Sequence, residues 1–386
     1  MNFYITRKPQ HLMACLIFTL FALAVAGSEA RAQSNNPNFI RPGQEGRFQV
    51  LVRTPKQTKR SVLGQLGGRE VLEFDSTARV GSMGKMMTVD PKGFIWYVES
   101  REDMAVRIDP NTLEMTDFVL PRGAAPYSIA SDSKGTLWIT AHGIEMLLEL
   151  HPDTAEVVSH QPPSHGFLIH INVDHLDNTV YFCQPGSNLI VSYHPDRGFK
   201  EFAIPTPNSG PGRMDFDSKH NVWFPELYTN KLAKLDPKTG KMEEWVLPTK
   251  ESLPAYCRVD KQDNVWVSMP MVDKIGMFKD GNWKEFKIPT KESIVSSNIE
   301  DADGFIWFTE GGWRGSAGGN KIGRLDPKTG DVEELPLVTL NAQPLGMIID
   351  RTGTIWFEQS SGGKISRIKA AQSADKATAK TVAGKK

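Results

Sequence analysis

The chain has 386 residues, and its 45 Lys and Arg residues balance 45 Asp and Glu residues, so the formal net charge is zero. This balance lacks the basic footprint of nucleic-acid-binding domains, and we expect no nucleic-acid partner. The 33 Gly and 25 Pro residues favour a turn-rich all-β fold, because both residue types interrupt helices.

The first 32 residues have the features of a signal peptide. Arg7 and Lys8 precede an apolar run over residues 12–26, and Ala30 and Ala32 fit an A-x-A cleavage site. The apolar run is short for a membrane span. We therefore expect cleavage before Gln33, a periplasmic or secreted mature protein, and no membrane span after cleavage. An uncleaved anchor is the alternative.

Two segments precede the main body of the chain. Residues 33–68 are polar and rich in Asn, Pro and Gln, and we expect a linker or a strap over the surface. Residues 69–76 (REVLEFDS) have the apolar and aromatic pattern of a single strand. This strand stands alone, because no other strand of a repeat comes before it.

A repeat occupies the chain from there to about residue 369. An aromatic residue recurs every 41 to 49 residues, at Trp96, Trp138, Tyr181, Trp223, Trp266, Trp307 and Trp356. An Asp precedes each aromatic residue by six positions, or by seven in the third copy, at Asp90, Asp132, Asp174, Asp217, Asp260, Asp301 and Asp350. A period of this size predicts a propeller or solenoid. We expect the aromatic residues to pack between blades and the Asp residues to form turns.

The two ends of the repeat complement each other. The seventh copy stops after residues 364–368 without a last strand, and residues 69–76 supply one. The sequence therefore predicts an all-β, seven-bladed β-propeller over residues 69–369, with four-stranded blades and a ring closed by the N-terminal strand. Residues 370–386 are expected to be disordered. Cys183 and Cys257 lie in repeats that are not neighbours, which favours two buried thiols over a disulfide.

Candidate site residues follow from propeller geometry. Inner strands begin, and second strands end, at the same face of the ring, so side chains at these points converge on one mouth of the channel. Three residues after the aromatic position, carboxylates could hold a hard cation such as Mg²⁺ or Ca²⁺, and no organic cofactor is expected. These candidate metal ligands are Glu99, Glu226 and Glu310.

Other polar residues belong to the same predicted mouth. His and Tyr side chains there are candidates for general acid–base catalysis, namely His142, His170, Tyr127 and Tyr256. Lys85 and Arg213 are candidates for binding an anionic group of a substrate. The alternative is that these charges pair with one another around a wet channel.

The sixth repeat contains an insertion, residues 311–319 (GGWRGSAGG). Its Trp313 and Arg314 are candidate substrate-binding residues, and we expect the loop to act as a lid or ligand clamp over the mouth. The alternative is a tolerated surface insertion.

The best copy of the repeat, GFIWFTE followed by NKIGRLDPKTG within residues 304–330, resembles the streptogramin B lyase (virginiamycin B lyase) family. The resemblance covers residues 69–369 and is more distant to gluconolactonase-like and NHL-repeat propellers. It implies a seven-bladed propeller. For the lyase itself it implies a magnesium-dependent elimination that opens a cyclic depsipeptide by C–O cleavage at its ester.

The family pattern has Pro-His before the repeat Asp in two late blades, and this sequence departs from it. The matching prolines are Pro211, Pro254 and Pro344, and the residues that follow are Gly212, Ala255 and Leu345.

Two functions stay open. One is an exported, metal-assisted enzyme of the lyase or lactonase type that acts on a small cyclic ester. The other is a non-catalytic propeller of the cell envelope that binds a ligand or a protein. In both cases we expect a small-molecule or peptide ligand at the mouth and a monomeric protein.

Overall fold

The computed structural model describes residues 45–53, 60–77, 84–311 and 319–369. Within these ranges the chain forms 31 strands in seven antiparallel sheets, with short 3-10 turns at Pro185–Ser187 and Pro270–Val272. The predicted all-β, seven-bladed propeller is confirmed. The predicted signal peptide and C-terminal tail lie outside the described residues. No helix in the described ranges is long and apolar enough to cross a membrane.

Each sheet is one blade, and apart from the N-terminal strands its strands are arranged in chain order from the channel outward. Blades 1 to 4 contain β5 (Gly84–Val89), β6 (Ile95–Glu99), β7 (Met104–Ile108) and β8 (Met115–Val119); β9 (Pro126–Ser131), β10 (Leu137–Ala141), β11 (Met146–His151) and β12 (Glu156–His160); β13 (Ile169–Asp174), β14 (Thr179–Gln184), β15 (Leu189–His194) and β16 (Gly198–Ala203); and β17 (Asp215–Phe216), β18 (Val222–Glu226), β19 (Lys231–Leu235) and β20 (Met242–Val246).

Blades 5 to 7 follow the same plan. They contain β21 (Tyr256–Val259), β22 (Val265–Met269), β23 (Lys274–Lys279) and β24 (Asn282–Lys287); β25 (Val295–Glu300), β26 (Ile306–Glu310), β27 (Lys321–Leu325) and β28 (Val332–Pro336); and β29 (Pro344–Ile349), β30 (Ile355–Gln359) and β31 (Lys364–Ile368). The N-terminal strands are β1 (Gly46–Gln49), β2 (Leu51–Arg53), β3 (Arg60–Leu66) and β4 (Arg69–Asp75).

The second strand of every blade is buried along its whole length. This strand lies between two strands of its own sheet, and each of its faces packs on a neighbouring blade. β-Branched and aromatic residues suit this environment, which explains sequences such as IWYVE and IWFTE. The aromatic residue of the repeat lies in this strand.

The two repeated columns are joined by a hydrogen bond. In the six blades with Trp, indole Nε1 donates to Oδ2 of the Asp six residues earlier, at 2.8 to 3.3 Å. The other oxygen of the Asp accepts backbone N–H groups two and four residues later, as Asp90 does from Lys92 and Phe94. One carboxylate thus fixes both the turn and the buried indole.

The core consists of contacts between neighbouring blades. Trp96 of blade 1 packs with Leu137 and Ile139 of blade 2. Trp356 of blade 7 packs in the same way with Ile95 and Tyr97 of blade 1. The ring is therefore closed by the same packing that holds its other blades together.

Strand β4 completes blade 7, as predicted. It pairs antiparallel with β31, with Phe74 opposite Ile365. Arg69 at the start of β4 also reaches blade 6, where Nη2 lies 2.9 Å from Oδ2 of Asp301 and the guanidinium lies over Trp307. The closing strand is thus fixed to two blades.

Residues between 45 and 66 form strands that the sequence did not predict. Strand β1 adds a fifth, outermost strand to blade 2, and β2 does the same for blade 1. Strand β3 pairs with β4 and extends blade 7. Three blades therefore have five strands, because the segment covers edges that would otherwise be exposed.

Candidate functional site

The inner strands carry a bulge at the mouth of the channel. In blades 1, 2, 3, 6 and 7 the register against the second strand shifts, and the inner strand has one extra residue. Blade 4 has the same extra residue between the bridge of Pro211 to Glu226 and the pair of Asp215 with Trp223. A bulge re-aims a side chain. The bulges coincide with the positions predicted to line the mouth.

One residue from each of blades 1 to 6 meets at the centre, and we call this set the channel cluster: Met86, Tyr127, His170, Arg213, Tyr256 and Ser297. The rings of Tyr127 and His170 meet edge-on at 5.2 Å, and those of His170 and Tyr256 at 5.6 Å. Arg213 Nη1 donates to Ser297 Oγ at 3.2 Å and to Met86 Sδ at 3.4 Å. Because blades 1 and 4 are not neighbours, the contact of Arg213 with Met86 crosses the channel.

The side chain of Arg213 is only 8% exposed. Burial, together with the nearby charge of Arg258, lowers the pKa of the Arg213 guanidinium to about 9, so it stays protonated at neutral pH. Its backbone is held by blade 5, since Arg213 N donates to Ala255 O at 3.0 Å and Cys257 N donates to Arg213 O at 3.1 Å. The structure therefore fixes a positive charge in the middle of the ring.

Two thiols support the same segment from either side. Cys183 Sγ donates to Gly212 O at 3.1 Å, and Cys257 Sγ donates to Arg213 O at 3.2 Å. Both cysteines are free and buried, which confirms the prediction of two thiols rather than a disulfide. Burial raises the pKa of both thiols, so they act as neutral hydrogen-bond donors.

The aromatic members of the cluster form a continuous wall. His142 joins it through Tyr127, at 5.9 Å between ring centres, and contacts Phe167 at 4.9 Å. Burial raises the pKa of Tyr127 and of Tyr256, so both hydroxyls stay protonated and can donate hydrogen bonds. The four predicted catalytic candidates therefore lie in one continuous set of contacts.

The three glutamates predicted as metal ligands lie in blades 1, 4 and 6. No three His, Cys, Asp or Glu side chains among the described residues are placed to hold a metal ion, so Glu99, Glu226 and Glu310 do not form such a group. Glu226 is buried, and its Oε2 accepts a hydrogen bond from Thr229 at 2.6 Å. Burial raises the pKa of Glu226 to about 7 and that of Glu310 to about 8. A role for these residues with Mg²⁺ or Ca²⁺ stays a prediction.

Glu226 and Glu310 instead face a polar unit that recurs in blades 4 to 7. In blade 4, Lys231 Nζ lies 2.7 Å from Glu244 Oε2, and Thr206 Oγ1 donates to the same oxygen at 2.7 Å. We call this arrangement the Lys–Glu–Thr unit. Its other copies are Lys274, Glu285 and Thr249; Lys321, Glu334 and Thr290; and Lys364, Glu73 and Thr339.

Sequence reasoning missed several residues of the mouth. Glu358 is 1% exposed, and its Oε1 accepts hydrogen bonds from Gly346 N at 3.2 Å and Ser360 Oγ at 2.6 Å. It lies two positions after Trp356, where blades 2 and 6 have Thr140 and Thr309. Glu358 is the only carboxylate among the seven residues at this position of the repeat, and a single departure gives no periodic signal. Leu227 packs on Tyr256 and was missed for the same reason.

Three predicted residues cannot be placed in the site. Lys85 belongs to β5, but its side chain is outside the described part of the chain. Trp313 and Arg314 lie outside the described residues altogether. Their substrate-binding roles stay predictions.

A cavity of about 370 Å³ lies at the other end of the inner strands, away from the cluster. Its lining includes Asp90, Asp132, His175 and Arg351, which come just after the inner strands end. Asp90 and Asp132 already bind the indoles of their blades. The chemistry-bearing residues therefore converge at the mouth and not at this cavity.

Comparison with known proteins gives one family. The sequence matches the Virginiamycin B lyase family over residues 56–238 and 173–383. No curated protein matches it. Virginiamycin B lyase from Staphylococcus aureus superposes with a TM-score of 0.71 at 24% identity, over 78% of this chain and 100% of that chain.

Two further solved structures are similar. A catalytically inactive variant of the same Staphylococcus aureus enzyme with quinupristin has a TM-score of 0.70 at 24% identity, over 81% of this chain and 100% of that chain. The extracellular domain of a one-component system from B. thetaiotaomicron has a TM-score of 0.55 at 13% identity, over 81% and 46% of the two chains. At these identities the likeness concerns the fold alone.

Proposed function

This chain belongs to the virginiamycin B lyase family, and we propose that it is an exported enzyme of the lyase or lactonase type that opens a small cyclic ester at the channel mouth. The observation that carries the proposal is the meeting of His170, Arg213 and the two tyrosines, each from a different blade. A base, a fixed cation and neutral hydroxyl donors are the groups that ester opening needs.

For elimination, the proposed roles are as follows. His170 takes a proton from the carbon that lies next to a carbonyl group of the substrate. The electron pair of that C–H bond forms a C=C bond as the C–O bond of the ester breaks, and the oxygen leaves as a carboxylate. Arg213 stabilises the negative charge that develops there. The proposed roles belong to side chains of the protein alone, because the three glutamates predicted to bind Mg²⁺ or Ca²⁺ do not come together.

The base in this proposal differs in position from the Pro-His of the family pattern. At Gly212 a Cβ atom would lie 2.4 Å from Ala255 O and 2.9 Å from Pro225 Cγ. The backbone of blade 5 thus leaves no room for any side chain at this position in blade 4. A histidine base has to come from another blade, and His170 and His142 are the two that border Tyr127.

The test is incubation of the purified protein with quinupristin and with a panel of simple lactones, followed by liquid chromatography, which separates ring-opened product from substrate, and mass spectrometry. Elimination opens the ring without a change in mass, whereas hydrolysis adds one water. We expect His170→Ala to lower the rate at least about 100-fold, in the usual range for a general base. His175→Ala, at the other end of the inner strands, is the matched control and should leave the rate unchanged. Full activity of His170→Ala would refute the assigned base.

A non-catalytic propeller that binds a ligand or a protein is the second candidate. Its support is the absence of histidine at Gly212, Ala255 and Leu345, where the family pattern places Pro-His. Calorimetric binding of quinupristin or a lactone with no ring opening would favour it over the enzyme.

We also propose a periplasmic or secreted location and a monomeric state. The signal-peptide pattern of residues 1–32 supports export, and extracellular domains are among the similar folds. A mature protein that begins at Gln33 is the expected result of N-terminal sequencing.

A further inference from the structure

Two arginines of the propeller are almost equally buried and differ in their partners. Arg69 is 7% exposed and forms a salt bridge with Asp301 at 2.9 Å. Arg213 is 8% exposed, and among the described residues it forms no salt bridge with any carboxylate. The charge of Asp215 reaches Arg213, but its carboxylate forms a salt bridge with Arg258 at 3.6 Å instead and none with Arg213. A buried cation without a counter-ion is costly, so its retention calls for a partner that the chain does not supply.

The guanidinium also has unused donors. Nη1 makes the hydrogen bonds to Ser297 and Met86, and neither Nε nor Nη2 makes one with the described residues. A serine hydroxyl and a thioether sulfur neutralise no charge. The planar fork of arginine matches the two oxygens of a carboxylate, which a single ammonium group does not.

The surroundings of Arg213 define the rest of the ligand. Met86, Leu227, Ala255 and Tyr256 form a buried apolar cluster at the mouth, with Leu253 and Leu345 packed against it. Met86 and Tyr256 both contact Arg213. A ligand here meets one positive charge next to apolar and aromatic surface, so it should carry one carboxylate on an apolar body.

We propose that Arg213 is a binding site for organic monocarboxylates and that the linear acid formed by ring opening stays bound there and inhibits the protein. The second half rests on the proposed function, and the first half does not. Ring opening converts a neutral ester into a carboxylate, and the buried cation of Arg213 binds the product more tightly than the substrate.

The experiment is isothermal titration of the purified full chain with benzoate, benzamide and inorganic phosphate. Benzoate should bind with one-to-one stoichiometry. Benzamide, which has nearly the same shape without the charge, should bind at least about tenfold more weakly, in keeping with the strength of a charge-assisted hydrogen bond. Equal affinity for benzoate and benzamide would overturn the proposal. Tighter binding of phosphate would overturn its restriction to carboxylates.

Variants then locate the site. Arg213→Gln should weaken benzoate binding at least about tenfold, and Arg213→Lys should give an intermediate affinity because it keeps the charge without the fork. Arg197→Gln removes an exposed arginine of blade 3 and should change nothing. Circular dichroism checks the fold of each variant. If Arg213→Gln does not fold, the comparison of benzoate with benzamide on the unaltered protein decides.

The two proposals fail in different ways. Benzoate binding that depends on Arg213, with no opening of any ester, would refute the proposed enzymatic function and support the carboxylate site. Ester opening that benzoate does not inhibit would refute the proposed product inhibition and support the enzymatic function.

Discussion

The repeated positions of the blades keep the same residue types in nearly every blade, whereas the residues at the bulges of the mouth vary from blade to blade. The Trp and Asp of the second strand and its turn make the same hydrogen bond in six blades. The bulge residues differ in every blade, from Met86 to Tyr127 to Arg213. Repeated residues thus carry the packing that each blade needs, while the bulges place unlike side chains at one point. Three substitutions, two of them with a companion variant, test this contrast.

The largest effect is expected at Asp301, because this repeated residue also forms a salt bridge with Arg69. Asp301→Ala removes the bond to Trp307 and the turn contacts, and it also removes the buried counter-ion of Arg69, leaving only the partly exposed Asp303 at 3.4 Å. We expect a loss of about 3–5 kcal/mol in the free energy of unfolding, the usual cost of breaking a buried ion pair.

The matched control for this change is Asp350→Ala. Asp350 binds Trp356 and its turn in the same way, and no arginine contacts it in the described structure. Its loss should cost about 1–3 kcal/mol. Urea unfolding of both variants measures the difference, and equal losses would show that the ion pair adds nothing.

The next effect concerns Glu310, whose two carboxyl oxygens are buried and have no hydrogen-bond partner among the described residues. Burial raises the pKa of Glu310 from 4.5 to about 8. The native state therefore keeps a proton that the unfolded chain releases, and stability falls as pH rises from about 4.5 to about 8. Glu310→Gln removes this dependence and should stabilise the protein by up to about 3 kcal/mol at pH 7.

Blade 7 supplies a natural comparison, because Gln359 occupies the equivalent position and donates to Glu73 at 3.0 Å. The reverse change, Gln359→Glu, should introduce the same decline with pH. Unfolding free energies at pH 5 and pH 8 test both variants. The predicted metal role would be favoured instead if Mg²⁺ or Ca²⁺ stabilised the unaltered protein but not the Glu310→Gln variant.

The smallest effect is expected in the Lys–Glu–Thr unit of blade 5. Lys274 Nζ lies 2.5 Å from Glu285, but both side chains are partly exposed, and Met269 stands where blades 4 and 6 have a glutamate. Lys274→Met should cost about 1 kcal/mol or less, and the cost should shrink in high salt. A larger, salt-independent loss would contradict the view that this unit is a surface feature.

The sequence predicted the fold well because periodic positions report on packing that each blade repeats. The closing strand at residues 69–76 and the two free thiols were also predicted, since both follow from counting repeats. Strands β1 and β2 were not, because an outermost strand at the rim needs no strong apolar alternation: Leu51 and Val52 are exposed.

For the site, the sequence identified columns whose residues meet at the mouth, but not the contacts between those residues. Tyr127, His170, Arg213 and Tyr256 were found because the inner strand of each blade starts at the mouth four or five residues before the repeated Asp. The pattern grouped Glu99, Glu226 and Glu310, but the structure does not bring the three together, because Glu226 and Glu310 each face the Lys–Glu–Thr unit of their own blade. Glu358 was missed because a carboxylate that occurs at this position in one blade only leaves no periodic signal.

Ring closure by β4 has a consequence for the order of events in a cell. Phe74 of β4 and Ile365 of β31 face each other where the ring closes, although 291 positions separate them in the chain. Contacts so distant in sequence form late, because a long loop must close first. A growing chain has β4 but not β31, so its first blade lacks a neighbour until the C-terminal strands arrive. The unsealed propeller therefore exposes the apolar face of Tyr97 until the chain is complete, and this is the interval in which aggregation or a chaperone competes with folding.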